Sequence, residues 1–511
     1  ELHRVRQQHF TAKTPKTKAK YREKDEKLRA EIAELLKHEG WGDETAKKLA
    51  HWNPYDQNAT SDFFDPEWMF GIIDGFNIII GNPPYLESRH PSFKEELKNL
   101  YQTSTGKRWG ADANLITRGA DLLVYFFEAS IKFINVDGCV VLITQNAWLN
   151  TEYGINLQNF LMRHTNVTHV IDSQYRYFPA GEGPNINTVI TLFSGNKPYE
   201  SNIFGFYTLR KNIENVSFNA VLKQNIDNDD FKVNYFPSSD TLVKKYKWGV
   251  LQNLDDFLLY LLKTIEAKGK TIDKIPSTSV FTFGQGLNLS KACFVPLEIV
   301  VKNNIDLKDC FPILYSGTPY EIKKAKWYLI RKSRINKTTA RSLLADGYTP
   351  FDEDSTRKKQ PVLIMPRGIT KHYCSLNSLQ VFSLSGVDVY ADDISNIETE
   401  ILRLWCFLNS SIFWLLREIS GRKNLGGGHL KSEAADLKSF PVYFPLQVKK
   451  GDFKSILARE ALDTINEVET IDHQQIDKVI FDYLEFEELK RKECIEHLRD
   501  AISFRYSRSI T

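Results

Sequence analysis

The sequence predicts an α/β protein: a parallel, doubly wound sheet in its first half, then a mixed α/β unit, then a helical tail. Three observations carry this. Short apolar, largely β-branched runs at 76–80, 139–144, 167–171 and 188–193 have the length and composition of buried strands. Runs with helical spacing separate the first three, at 121–134 and 154–164, the alternation that builds a parallel sheet. From about residue 452, apolar residues recur only at helical spacing. The expected units are an N-terminal polar and helical segment (1–60), the sheet unit (61–235), the mixed α/β unit (246–445) and C-terminal helices (446–511).

Residues 1–27 are polar, with Lys13, Lys16, Lys18, Lys20, Arg22 and Lys24 nearly alternating, and read as a solvated or disordered stretch. Leu28, Ile32, Leu35 and Leu36 then give a short amphipathic helix ending near Gly40. An aromatic, turn-rich loop from Trp52 to Phe70 feeds the strand 76–80. The segment 86–119 is long for a connection and carries Arg89, His90, Lys107, Arg108, Trp109 and Arg118, so it is expected to be functional. Leu122, Leu123, Phe126, Phe127, Ile131 and Ile134 mark a buried helix, and Asp137-Gly138 a turn into the strand CVVLIT. The pattern loosens between 197 and 245, a helix returns at 255–267, and 402–419 reads as one largely buried helix before the loop GRKNLGGGHLK.

Composition narrows the class. With 42% hydrophobic and 26% charged residues the chain is an ordinary globular protein, and a net charge of +3 confines any nucleic-acid surface to a local patch. The 6 cysteines are scattered with no C-x-x-C pair, which argues against a zinc site or a disulfide framework and fits a reducing cytoplasm. No apolar run is long enough to cross a membrane.

The chemistry concentrates at Asn82-Pro83-Pro84-Tyr85. An isoleucine run ends in Gly81, and two prolines forbid its continuation, which puts the four residues at the carboxyl end of a strand, where open α/β sheets bind ligands. At average composition this tetrapeptide arises by chance about once in several hundred chains of this length. It resembles the catalytic motif of amino-methyltransferases that use S-adenosylmethionine, above all the enzymes acting on adenine N6 in DNA. The resemblance implies a Rossmann-like methyltransferase half-domain and a target amine whose lone pair is delocalised into the base. Two acceptors against its N–H bonds, the Asn82 side-chain oxygen and the Pro83 carbonyl, aim that lone pair at the methyl group. The prolines bring no competing N–H, Tyr85 offers a stacking face, and the base must leave the duplex to reach them.

The wider pattern resembles γ-class adenine-N6 methyltransferases, specifically the type IIG restriction-modification enzymes. That resemblance implies that Asp121, in Ala120-Asp121-Leu122, shapes the cofactor pocket. It also gives Phe178, in FPAGEGPN, the second face of the base sandwich. It implies further that 246–445 is a target-recognition domain for double-stranded DNA, with Phe283-Gly284-Gln285-Gly286 near its start and GRKNLGGGHLK late in it. Arg108, Arg367, Lys371, Arg422, Lys423 and Asn424 are the candidate contacts to phosphates or base edges. One feature departs from the family: its Phe-x-Gly-x-Gly cofactor loop should precede Asn82, and Gly40, Gly42, Gly71, Gly75 and Gly81 do not form it. No Pro-Asp…Glu-x-Lys nuclease signature is present either. The expectation is therefore the C-terminal part of a longer polypeptide whose cofactor and nuclease regions lie upstream. Two readings compete with it: a non-catalytic DNA-binding specificity module, and an Asn-Pro-Pro-Tyr methyltransferase acting on protein glutamine.

Overall fold

The computed structural model describes residues 1–40, 42–56, 64–85, 99, 102, 107, 115, 120–178, 186–195, 202–217, 227–352, 359–395, 397–425 and 429–510. Residues 1–27, expected to be solvated, fold instead into α1 (Leu2–Thr11) and the first half of α2 (Pro15–His38), whose second half is the helix expected from Leu28 to near Gly40; α3 (Asp43–His51) follows. Thr14 caps α2 by accepting from the Thr17 amide, with Pro15 in the first turn. Asp25 of α2 is fully buried and bridges two arginines, Arg6 at 2.9 Å and Arg29 at 2.8 Å. Arg6 also donates to the carbonyls of Trp68 and Met69, which ties α1 to the short helix α4 (Pro66–Phe70). A lysine-rich composition hid one buried carboxylate that organises the whole segment.

A six-stranded sheet follows. It contains β1 (Phe76–Gly81), β2 (Ile134–Gln145), β3 (Asn166–Ser173), β4 (Thr188–Ser194), β5 (Ile203–Leu209) and β6 (Phe231–Pro237), in the order β1-β2-β4-β3-β5-β6. Helix α5 (Leu123–Phe133) leads into β2, and α6 (Glu152–His164) links β2 to β3. The sheet is mixed, not wholly parallel: β1 pairs with β2 and β3 with β5 in parallel, while β4 runs antiparallel to both β2 and β3. The carboxyl end of β3 and the amino end of β4 lie at the same edge, as their antiparallel pairing requires. The loosened stretch 197–245 also holds strands, β5 and β6, paired from Ile203↔Pro237 to Leu209↔Phe231.

The predicted turn at Asp137-Gly138 lies inside β2, where the register with β1 jumps between Phe76↔Ile134 and Ile78↔Cys139. β1 itself was expected to be buried, yet Ile78 is 65% and Ile80 78% exposed. Among the described residues β1 pairs only with β2 and so forms the sheet's edge.

Helix α7 (Trp248–Asn253) packs on β5 and β6, and α8 (Asp256–Lys268) packs against the C-terminal helices. Trp248 packs on Trp148 with ring centroids 5.4 Å apart, and on Phe204 at 5.3 Å. The mixed unit then forms three small sheets. One places β7 (Phe281–Gln285) beside Val387–Ala391, Leu363–Met365 and Ser375–Leu376; a second joins Val295–Pro296, Trp327–Ile330, Cys310–Leu314 and Phe382–Ser383. The Phe283-Gly284-Gln285 segment is thus the end of β7, paired with Val387–Val389. The helix expected at 402–419 is two, α9 (Glu398–Leu408) and α10 (Ser411–Ser420). Between them the Asn409 carboxamide bonds to both the amide and the carbonyl of Cys374, and Ser410 caps α10 by accepting from the Phe413 amide. The third sheet joins Gly368–Ile369 to β9 (His429–Lys431) and β8 (Arg422–Leu425).

The tail helices α11 (Ile471–Leu484) and α12 (Glu488–Ile510) do not stand apart. Ile476, Ile480 and Leu498 share one continuous core with Val140 of the sheet and Trp405 of α9. No helix among the described residues is long and apolar enough to cross a membrane.

Candidate functional site

β1, β2, β3 and β5 all deliver their carboxyl ends to one edge, where the amino end of β4 also lies: Gly81 is level with Leu142, Gln145 with Thr188, and Ser173 with Leu209. At Gly81 an added Cβ would sit 2.9 Å from Leu142 Cδ2, so a small residue suits the strand's last position. Pro83 is buried while Asn82 and Pro84 are exposed and Tyr85 is half-buried. With no N–H on either proline, the backbone cannot extend the ladder and leaves the edge. The Tyr85 hydroxyl donates to Asn82 Oδ1 at 2.8 Å. Burial pushes the Tyr85 phenol above its ordinary pKa, which keeps it a donor at neutral pH.

Asp121 lies just before α5, buried at the same edge. Its Oδ2 accepts from Gln145 Nε2, at the end of β2, and from the Tyr153 hydroxyl of α6. Burial and then the Asp121 charge push the Tyr153 phenol well above its usual range, while Arg422 pulls it down. The carboxylate is therefore embedded in protein hydrogen bonds.

Phe178 leaves the edge after β3 and is half-buried. The backbone before it is pinned where Gln174 donates to the Leu209 carbonyl at 2.9 Å and the Tyr177 hydroxyl to the Ile171 carbonyl at 3.1 Å. Two strands separate β3 from β1, so their axes lie about 14 Å apart at ordinary strand spacing. Asn82 and Tyr85 thus touch, Asp121 is tied to the end of the next strand, and Phe178 emerges from the same edge further along. Residues 179–185 of the intervening loop lie outside the described residues.

The candidate DNA contacts are mostly engaged within the protein. Arg367 makes two bonds to Glu433, at 2.8 and 2.7 Å, and Lys371 donates to the Ala461 carbonyl at 3.2 Å. Arg422 lies 3.8 Å from both Glu433 and Asp436. Lys423 is buried with its ammonium 5.5 Å from the centre of the Phe504 ring, so it faces the interior and not a phosphate. Asn424 belongs to β8, but its side chain lies outside the described residues, as does Arg108.

Two asparagines escaped the sequence reading. The Asn187 side chain, just before β4, donates to the Lys423 carbonyl, and the Asn187 carbonyl accepts from the Asn146 amide at 3.0 Å. β8 of the mixed unit is thereby stitched onto the sheet edge where β4 begins. The only signal in the sequence was an asparagine immediately ahead of the apolar run TVITLF.

For S-adenosylmethionine the fit is partial. Asp121 already serves Gln145 and Tyr153, and no Phe-x-Gly-x-Gly turn borders β1 among the described residues. On the open side of β1 the side chains of Ile78 and Ile80 are exposed.

A family model described as the Eco57I restriction-modification methylase matches residues 5–178, a stretch that includes Asn82–Tyr85, Asp121 and Phe178. No curated protein sequence matches the chain. Among solved structures it is similar to the type IIG restriction endonuclease BpuSI, at 12% identity over 84% of this chain and 54% of that one, with a TM-score of 0.37. It is also similar to the type IIL restriction-modification enzyme MmeI in complex with DNA, at 13% identity over 83% of this chain and 57% of that one, TM-score 0.46. A nuclease-deletion mutant of the type ISP restriction-modification enzyme LlaGI, in complex with a DNA substrate mimic, gives 13% identity over 73% of this chain and 34% of that one, TM-score 0.38. The chain spans at most 57% of the length of these three structures.

Proposed function

We propose that this chain is the base-holding and target-recognition part of a DNA adenine-N6 methyltransferase within a restriction-modification enzyme. The observation that carries the reading is Asn82-Pro83-Pro84-Tyr85 leaving the carboxyl end of β1, with Asn82 exposed and Tyr85 beside it. The match of residues 5–178 to a restriction-modification methylase model supports the same class. On this reading adenine flips out of duplex DNA to the sheet edge. Asn82 Oδ1 and the Pro83 carbonyl take the two N–H bonds of its amine, while the rings of Tyr85 and Phe178 hold its faces. The residues act by positioning: they localise the nitrogen lone pair and fix its direction. S-adenosylmethionine, when bound, supplies a methyl group activated by the sulfonium charge. Its remaining wall comes from a cofactor region of the same longer polypeptide docked against the open side of β1, and a nuclease region belongs to that polypeptide as well.

The test is methylation mapping with the full-length polypeptide and its Asn82→Ala variant. The wild type is expected to mark adenine in one short duplex sequence. The variant should lose transfer by at least ~100-fold, as when a preorganised hydrogen-bonding group is removed from a transition state. Its duplex binding should persist and weaken as salt rises, because phosphates release counterions. Equal methylation by both proteins would remove Asn82 from the chemistry; methylation of a glutamine in place of adenine would move the assignment to a protein substrate.

A further inference from the structure

We propose that the Tyr85 hydroxyl is a stand-in for the substrate amine: it occupies the Asn82 oxygen while no base is bound and gives way when one arrives. The inference rests on the adenine reading above and concerns how that site is kept ready. An exposed asparagine after a strand ordinarily satisfies its side-chain oxygen locally, by accepting the backbone N–H two residues on. Here that residue is Pro84 and the one before it is Pro83, so neither main-chain donor exists. Tyr85 Oη fills the place at 2.8 Å, and no other hydrogen bond holds the Asn82 side chain among the described residues.

The difference between the two kinds of donor matters. A backbone N–H is fixed and would block Asn82 Oδ1 permanently. A phenol swings away about two side-chain torsions and frees the oxygen, and only a base that carries an amine calls for that movement; purine leaves the hydroxyl on Asn82. The contact therefore holds the carboxamide in one orientation at rest without closing the site. When the base arrives, one hydrogen bond to Asn82 replaces another, so part of the amine's attraction is spent on displacing the hydroxyl. Tyr85 is in this respect a positioning residue, acting on the base through Asn82, in addition to the stacking role of its ring.

The experiment measures equilibrium binding by full-length wild type and Tyr85→Phe to two duplexes. They differ only at the adenine that methylation mapping identifies, which is either adenine or purine, the same base without its exocyclic amine. Removing the hydroxyl removes the competitor, so the adenine-over-purine affinity ratio is expected to be about 3- to 10-fold larger in Tyr85→Phe, the weight of one net hydrogen bond. A general disturbance of the fold would shift both affinities together and leave the ratio where it was. An unchanged or smaller ratio overturns the inference while the adenine reading stands. A Tyr85→Phe protein that does not distinguish adenine from purine overturns the adenine reading and the stand-in with it.

Discussion

Two regions of the molecule satisfy their polar groups in opposite ways. At the edge of β1, Asn82 is exposed and held by one phenolic hydrogen bond, with Ile78 and Ile80 open beside it. At the seam between the mixed unit and the tail, Glu418 is completely buried and fully engaged. Its Oε1 meets His372 Nε2 at 2.9 Å, and Arg505 of α12 binds both carboxylate oxygens, at 3.1 and 3.0 Å. Arg505 donates onward to the Ile369 carbonyl at 3.2 Å, and Arg417, also buried, to the Pro366 carbonyl at 2.6 Å. Burial works to raise the Glu418 carboxyl, but the His372 hydrogen bond and the charges of His372 and Arg505 bring it down to about 2. The contrast separates two uses of polar chemistry. A group that must meet a ligand is left with a partner it can exchange; a group that must hold two units together is buried with partners it cannot.

The sharpest way to break the comparison is Glu418→Ala. It strands Arg505 in the interior, and losing one partner of a buried ion pair costs about 3–5 kcal/mol. Denaturant unfolding should show that loss; a change below about 1 kcal/mol would mean that the seam is no tighter than the edge. A smaller effect is expected from acid. Burial lowers the His372 pKa from 6.5 to about 4, although Glu418 pulls it the other way. Between those values the unfolded chain binds the proton more readily, so stability should be fully present above pH 6.5 and fall as the pH drops toward 4, by at most about 3 kcal/mol. His372→Phe should flatten that slope, and a midpoint of denaturation constant from pH 7 to 5 would refute the assignment. The smallest effect belongs to the other region. Ile80→Thr on the exposed edge should change stability by no more than about 0.5 kcal/mol, because the side chain covers little. A cost above 1 kcal/mol would show that the edge is covered in the protein as measured.

The parts of the fold legible in the sequence were those set by neighbours along the chain. The apolar runs at 139–144, 167–171 and 188–193 are strands, and the helical spacing before Phe133 and after Glu152 is helix. What failed did so for nameable reasons. The lysine-rich start read as solvated because composition cannot show that Asp25 would be buried between Arg6 and Arg29. The 402–419 run read as one helix because its apolar spacing barely falters, whereas in the structure Ser410 caps a new helix and Asn409, between the two, bonds to Cys374, a residue distant in the chain. Arg367 and Lys423 looked like free cations until Glu433 and Phe504 were brought beside them.

The sequence by itself determined that a strand ends at Gly81 and that Asn82 has no backbone donor two residues on, because prolines and β-branched residues act locally, whatever surrounds them. Only the tertiary structure decided that β4 runs antiparallel between β2 and β3, that β1 lies at the edge of the sheet, and that Asn187 ties β8 to the start of β4. Those outcomes depend on which surfaces find each other across hundreds of residues. Burial and hydrogen-bond partners at that range are properties of the packed whole, not of any stretch of chain.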